Sequence, residues 1–186
     1  MNGETKPVVS IIIPHYLGDI LSECLTFVYE RTPEVPIEVI VADDQPYDDG
    51  SLERASAKFP DLKIVKTGGG SGKPTKGMGA GCNRGLEVAQ GVYAMLLNSD
   101  VEVSEGWLPP LMAALESDSE VGACQPKVLS LRDRQMFDYG GAAGGLIDSW
   151  GFTFCQGRIF ESVEPDLGQY DQPRDIFWAV GGAMFL

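Results

Sequence analysis

Residues 92–103, Val92-Tyr93-Ala94-Met95-Leu96-Leu97-Asn98-Ser99-Asp100-Val101-Glu102-Val103, are the stretch from which the rest of the chain can be read. The apolar run Tyr93 to Leu97 fits a buried strand and stops abruptly at Asn98-Ser99-Asp100. Polar triplets of this kind end many strands in a plain turn. In an open α/β sheet, however, ligand chemistry gathers outside the carboxyl ends of the strands. Asp100 therefore becomes a candidate if its neighbours supply more strands of the same sheet.

Upstream they do. Val8 to Ile13 is a β-branched run too uniformly apolar for a half-exposed strand and suits a central parallel strand, which Pro14 is expected to end. Within Gly18 to Arg31, the residues Ile20, Leu21, Cys24, Leu25 and Val28 recur at helical spacing, and Thr32-Pro33 closes the segment. Ile37 to Asp43 reads as a second buried strand running into the polar turn Asp44 to Gly50. Ser51 is placed to cap the next helix, with Arg54 where a capping box has Glu. Leu62 to Thr67 is a third, weaker strand. Strands alternating with helices imply an α/β domain with a parallel sheet and right-handed crossovers.

Residues 68–77, GGGSGKPTKG, form a glycine-rich loop with Lys73 and Lys76. It is not a P-loop, because Thr67 stands where the first Gly belongs and Pro74 where a Ser or Thr would hold magnesium. The spacing of Gly77, Gly79 and Gly81 does not match a dinucleotide fingerprint either. A helix is expected over Gly77 to Gln90, although Gly79, Gly81 and Gly85 each cost it about 1 kcal/mol against Ala. Close packing on the sheet and close approach of a ligand are the two physical reasons for such glycines.

Downstream, Ser104 and Glu105 start a helix that tolerates Pro109 and Pro110 in its first turns and buries Trp107, Leu108, Leu111, Met112 and Leu115. Residues 120–129 read as a strand interrupted by Pro126. Loops and short strands are expected around Gly140 to Gly145 and Trp150 to Phe154, followed by a mobile acidic connector from Glu161 to Asp175. The apolar run Trp178 to Leu186 at the end suggests the front part of a longer protein.

Composition narrows the function. A length of 186 residues with 44% hydrophobic content fits one soluble domain, 1–186. A net charge of −13, from 27 acidic against 14 basic residues, opposes binding of a bare polyanion, so nucleic acid is not an expected partner. No run approaches the ~20 apolar residues of a membrane span, and a cytoplasmic protein, at most peripheral at the inner face of the membrane, is expected. Cys24, Cys82, Cys124 and Cys155 are widely separated and His15 is the single histidine, which leaves no zinc site, disulfide framework or Ser-His-Asp hydrolase to argue for.

Four segments then fall into a recognisable order: VSIIIPHY, VIVADDQPYDDGS, GMGAGCNRGLEVAQGVYAMLLNSDV and FWAVGGAMFL. Together they resemble the family 2 glycosyltransferases of the GT-A fold, in particular rhamnosyltransferase-type members of cell-surface polysaccharide assembly. The resemblance implies a three-layer α/β/α sandwich with a mostly parallel sheet, residues 8–129 forming a donor-binding half and 130–186 the start of an acceptor-side half. It places Pro14, His15 and Tyr16 beside the donor's base or ribose, and Asp43 and Asp44 as the acidic pair that meets them. Asp48, Asp49 and Gly50 are read as structural. Gly77, Asn83, Arg84 and Gly85 match the family's helix start, whereas Thr75 replaces its usual first Asn.

Asn98-Ser99-Asp100 occupies the position of the family's D-x-D. By resemblance Asp100 holds Mg²⁺ or Mn²⁺ against the diphosphate, with Ser99 beside it and Asn98 contributing an amide contact. The implied reaction is inverting transfer of a sugar from a nucleotide-diphosphate-sugar donor to the hydroxyl of a saccharide or lipid-linked saccharide acceptor. Trp178, Gly181 and Gly182 line the acceptor side, and the family's general base lies just beyond them, after the last residue of this chain. A non-catalytic nucleotide-sugar-binding module is the alternative; a sugar nucleotidyltransferase would want a glycine-rich, Arg-bearing loop where Pro14 to Gly18 stands.

Overall fold

The computed structural model describes residues 6–68 and 73–186, so Gly69 to Gly72 of the glycine-rich loop lie outside the described residues. The chain divides into two compact units, Met1–Leu108 and Pro109–Leu186. In the first unit the elements run β1 (Val9–His15), α1 (Ile20–Glu30), β2 (Ile37–Asp43), α2 (Ser51–Lys58), β3 (Lys63–Lys66), α3 (Met78–Leu86) and β4 (Tyr93–Leu97). The strands lie in the order β3-β2-β1-β4, all parallel, with Val9 opposite both Ile37 and Tyr93. The order reverses between β1 and β4, and this is the switch point outside which open sheets bind ligands.

β1 is the axis of the core: Val9, Ile11, Ile12 and Ile13 are fully buried. Successive strand side chains point to opposite faces. Ile12 and Pro14 meet α3, where an added Cβ on Gly85 would stand 2.3 Å from Ile12 Cγ2 and one on Gly81 3.0 Å from Pro14 Cβ. His15, on the other face, meets Ser51 at the start of α2. Helices therefore cover both faces of the sheet, as an uninterrupted apolar strand requires.

Several expectations need correction. Pro14 does not end β1, which continues to His15 in register with Asp43; the His15 carbonyl accepts from the Asp44 amide, so the ladder survives the missing proline N–H. Ser51 does not cap α2. Gly50, at φ 76°, holds the N-cap position, and Ser51 is the first helical residue. α3 is shorter than expected, ending at Leu86.

In the second unit, α4 (Leu108–Ser117, its first residue belonging to the first unit) precedes a four-stranded antiparallel sheet of β5 (Gly145–Ile147), β6 (Thr153–Cys155), β7 (Arg158–Ile159) and β8 (Ser162–Val163), and β9 spans Ala183–Phe185. Pro109 and Pro110 sit in the first turn of α4, as expected, while Trp107 precedes the helix. Residues 120–129 are not a strand: Cys124 and Leu129 make only isolated bridges, to Phe185 and Phe137. Pro126 has no N–H to donate, which breaks any ladder there. The acidic stretch after Glu161 is not a free connector. It contributes β8, and Asp166 and Asp171 both bind Lys127 Nζ, at 2.6 and 2.5 Å. Among the described residues no helix is long and apolar enough to cross a membrane.

Candidate functional site

A cleft of about 460 Å³ opens outside the carboxyl ends of β1 and β4. Its lining comes from three places: Pro14, His15, Tyr16 and Ile20 around the end of β1 and the start of α1; Asp44, Thr75, Gly77 and Met78 leading into α3; and Asn98, Ser99 and Asp100 after β4. The size suits a small-molecule ligand. Two helices thus begin at the cleft wall, α1 at Ile20 and α3 at Met78, and neither carries a side-chain cap on its leading N–H groups. Helix N-termini of this kind favour anions.

Asp44 is buried and fully engaged. Its carboxylate accepts the Thr67 hydroxyl and the backbone N–H groups of Lys76 (2.9 Å) and Gly77 (2.7 Å). Burial pushes this carboxyl up, but those hydrogen bonds outweigh it and hold the group below its ordinary value. Asp44 therefore anchors the residues that lead into α3, and Gly77, at φ 82°, supplies the left-handed turn that brings the helix start to the wall.

Beneath the cleft floor lies a polar network. Asp49 accepts from the Ser51 hydroxyl (2.6 Å), the Gln45 amide (2.7 Å) and the Gly18 backbone N–H (2.7 Å), tying the β2–α2 turn to the β1–α1 turn. The Ser51 bond, helped by the others, holds the Asp49 carboxyl far below the usual carboxylate range. Asp49 and Gly50 are thus structural, as the sequence suggested. His15 Nε2 lies 2.9 Å from Ser51 Oγ, while its Nδ1 is buried without a protein partner. Although His, Ser and Asp are adjacent, the carboxylate contacts the serine and not the imidazole, so this is no hydrolase triad.

Not every expected site residue reaches the cleft. Asp43 and Asn83 are absent from its lining. The Asp43 carboxylate accepts the Gln45 backbone N–H at 3.0 Å and lies 3.5 Å from Lys66 Nζ, and Asn83 is exposed on α3. Gly85 and Gly81 are explained by packing against Ile12 and Pro14, whereas a Cβ on Gly79 would meet nothing within 4 Å. Arg84 pairs with Glu87 at 2.6 Å on the surface of α3. Trp178, Gly181 and Gly182 belong to the second unit, where Trp178 Nε1 donates to the Leu146 carbonyl at 3.2 Å and the ring covers Gly145. Ile20 and Met78 are lining residues that motif reading missed; the signal available was their position as large, half-exposed apolar residues at the first turn of a helix.

The donor set fits a divalent cation that keeps other ligands of its own. Asp100, exposed at the cleft, brings one carboxylate, and Asn98 and Ser99 bring neutral oxygens on the same turn. Among the described residues no three His, Cys, Asp or Glu side chains converge. Such a site cannot cage a metal alone but suits Mg²⁺ or Mn²⁺ arriving with phosphate oxygens and water as its remaining ligands.

Comparison with known proteins agrees with this geometry. Residues 10–135 match the family model described as glycosyl transferase family 2. The chain is 27% identical over 201 residues to human polypeptide N-acetylgalactosaminyltransferase 10, covering 96% of this chain and 32% of that protein. It is 28% identical over 162 residues to the poly(ribitol-phosphate) beta-glucosyltransferase of Bacillus spizizenii, covering 83% and 25%. A mannosyltransferase of Pyrobaculum calidifontis, solved in complex with GDP-Man and Mn²⁺, superposes with a TM-score of 0.55 at 26% identity over 70% of this chain and 38% of that one. The chain spans a third or less of the length of these curated relatives.

Proposed function

Because the chain belongs to glycosyl transferase family 2 and has its GT-A fold, we propose that the cleft at the ends of β1 and β4 binds a nucleotide-diphosphate-sugar together with Mg²⁺ or Mn²⁺. The protein transfers the sugar with inversion to the hydroxyl of a saccharide or lipid-linked saccharide, in cell-surface polysaccharide or glycolipid synthesis in the cytoplasm, at or near the inner face of the membrane. The observation that carries the reading is that Asp100 lines the same cleft as the first residues of α1 and α3, whose N-cap residues make no side-chain cap bond. A diphosphate is the ligand that uses both kinds of group at once. GDP-Man and Mn²⁺ in the Pyrobaculum relative support the donor class.

In this reading Pro14, His15 and Tyr16 border the nucleoside, Asp44 holds Gly77 and the start of α3 against it, and the leading N–H groups of α1 and α3 face the phosphates. Asp100 holds the cation, with Asn98 and Ser99 beside it. When bound, the cation neutralises charge on the departing diphosphate as a Lewis acid. The helix N-termini add fixed dipoles where negative charge grows, which is the main way a protein lowers such a barrier. Trp178, Gly181 and Gly182 are assigned to the acceptor.

A thermal-shift panel of UDP- and GDP-sugars, each with and without Mn²⁺, tests the reading, since a ligand of the folded state raises its stability. One or more donors raising the melting temperature only with the metal is the expected result. No shift with any donor, with or without metal, overturns it.

A further inference from the structure

Asp100 stands in a stretch, residues 98–107, that contains neither helix nor strand. Ladder hydrogen bonds therefore do not decide where its carboxylate sits. The Val101 N–H donates to the Asn98 carbonyl at 3.3 Å across the turn, and side chains from α1 and the residue after it reach the same stretch. Cys24, only 2% exposed, donates its Sγ–H to the Asn98 carbonyl at 3.6 Å. Arg31, at the C-terminal end of α1, lays its guanidinium over the Phe27 ring, 4.3 Å from the centroid. From there Nη1 donates to Glu102 Oε1 at 3.0 Å and to the Val103 carbonyl at 2.6 Å, and Nε lies 3.8 Å from Glu105 Oε1. Just beyond, the buried Trp107 Nε1 donates to Thr32 Oγ1 at 3.0 Å.

We propose that Arg31 is a positioning residue for Asp100, holding the turn after β4 where its carboxylate can serve a cation that arrives with the donor's diphosphate. This rests on the donor-site reading. The physical case is one planar group, stacked on Phe27 and so restricted in its rotamers, whose Nη1 grips a side chain and a backbone carbonyl two and three residues past Asp100. The bond to the Val103 carbonyl holds the main chain three residues past Asp100. Both bonds are charge-assisted, the stronger kind. α1 also starts at the cleft wall with Ile20, so a single helix sets both its own anion-facing N-terminus and the place of Asp100.

Titration calorimetry separates this role from a general structural one. UDP and GDP with Mn²⁺ report the cation–diphosphate end of the cleft, whereas UMP and GMP without metal report the nucleoside end. Arg31→Ala is expected to weaken Mn²⁺-dependent diphosphate binding roughly ten- to a hundredfold, the usual effect of losing a residue that orients a metal ligand, and to leave mononucleotide binding as in the parent. Arg31→Lys, which keeps the charge but not the planar group stacked on Phe27, recovers part of the loss. Glu102→Gln, which leaves the Val103 bond in place, shows a smaller loss in the same direction. If Arg31→Ala binds diphosphate with Mn²⁺ as tightly as the parent, or loses mono- and diphosphates alike, the inference is overturned while the donor-site reading stands. A parent chain that binds no diphosphate with Mn²⁺ overturns both.

Discussion

His15 Nε2 lies 2.9 Å from Ser51 Oγ, and the single proton of that hydroxyl is committed to Asp49 Oδ1, 2.6 Å away. An ionised carboxylate can only accept, so Ser51 must donate to Asp49 and accept from His15. The imidazole is thereby fixed as the Nε2–H tautomer, with a bare Nδ1 lone pair in a buried place. Burial lowers the His15 pKa below its ordinary value against the opposing pull of Asp49 and Asp43.

A pH prediction follows from that direction. A histidine whose folded pKa lies below its unfolded one binds its proton more readily when unfolded, so stability is full above about pH 6.5 and falls as the pH drops through that value. The depressed carboxylates Asp44, Asp49 and Glu38 act in a lower window, below about pH 4. Thermal melts at pH 7.5 and 5.5 should therefore show a drop for the parent that His15→Gln lacks. Equal drops in the two proteins would contradict the buried neutral imidazole.

The glycines of α3 make opposite predictions. Gly85→Ala puts a Cβ 2.3 Å from Ile12 Cγ2 and should destabilise the domain by about 1–3 kcal/mol through overpacking. Gly79→Ala meets nothing within 4 Å and should instead stabilise the helix by up to about 1 kcal/mol. Urea denaturation of the two variants checks the sign of each. If Gly79→Ala also weakens nucleotide binding, ligand approach is the reason for that glycine; if it does not, the position is simply open.

Asp44→Ala should lower both stability and affinity for a nucleoside diphosphate. It strips the Lys76 and Gly77 N–H groups of their acceptor at the entrance to α3, a loss of about 1 kcal/mol per bond, because water reaches these exposed residues and takes the carboxylate's place in part. A variant that melts with the parent and binds UDP or GDP equally would show that Asp44 neither anchors the wall nor serves the ligand.

How much of this could be read in advance depended on whether the signal was local. β1, β2 and β4 were legible because their β-branched or apolar runs are bounded by polar turns, and their parallel order follows from the helices between them. Asn98, Ser99 and Asp100, singled out by their position after β4, line the cleft. The role of Ser51 was misread because its partners, His15 and Gln45, come from other segments. Residues 120–129 were misread because apolar composition outweighed a single Pro126. Arg31 carried no motif at all; its meaning lies in contacts with residues 71 and 72 positions further along the chain.

In the proposed donor site, Asp100 makes nucleotide binding depend on a divalent cation. Calorimetric titration of UDP and GDP into the parent and into Asp100→Ala, each with and without Mn²⁺, tests it most directly. Mn²⁺ should tighten binding to the parent, Asp100→Ala should lose this gain, and the variant should melt as the parent does. Undiminished Mn²⁺-dependent affinity in Asp100→Ala would contradict it.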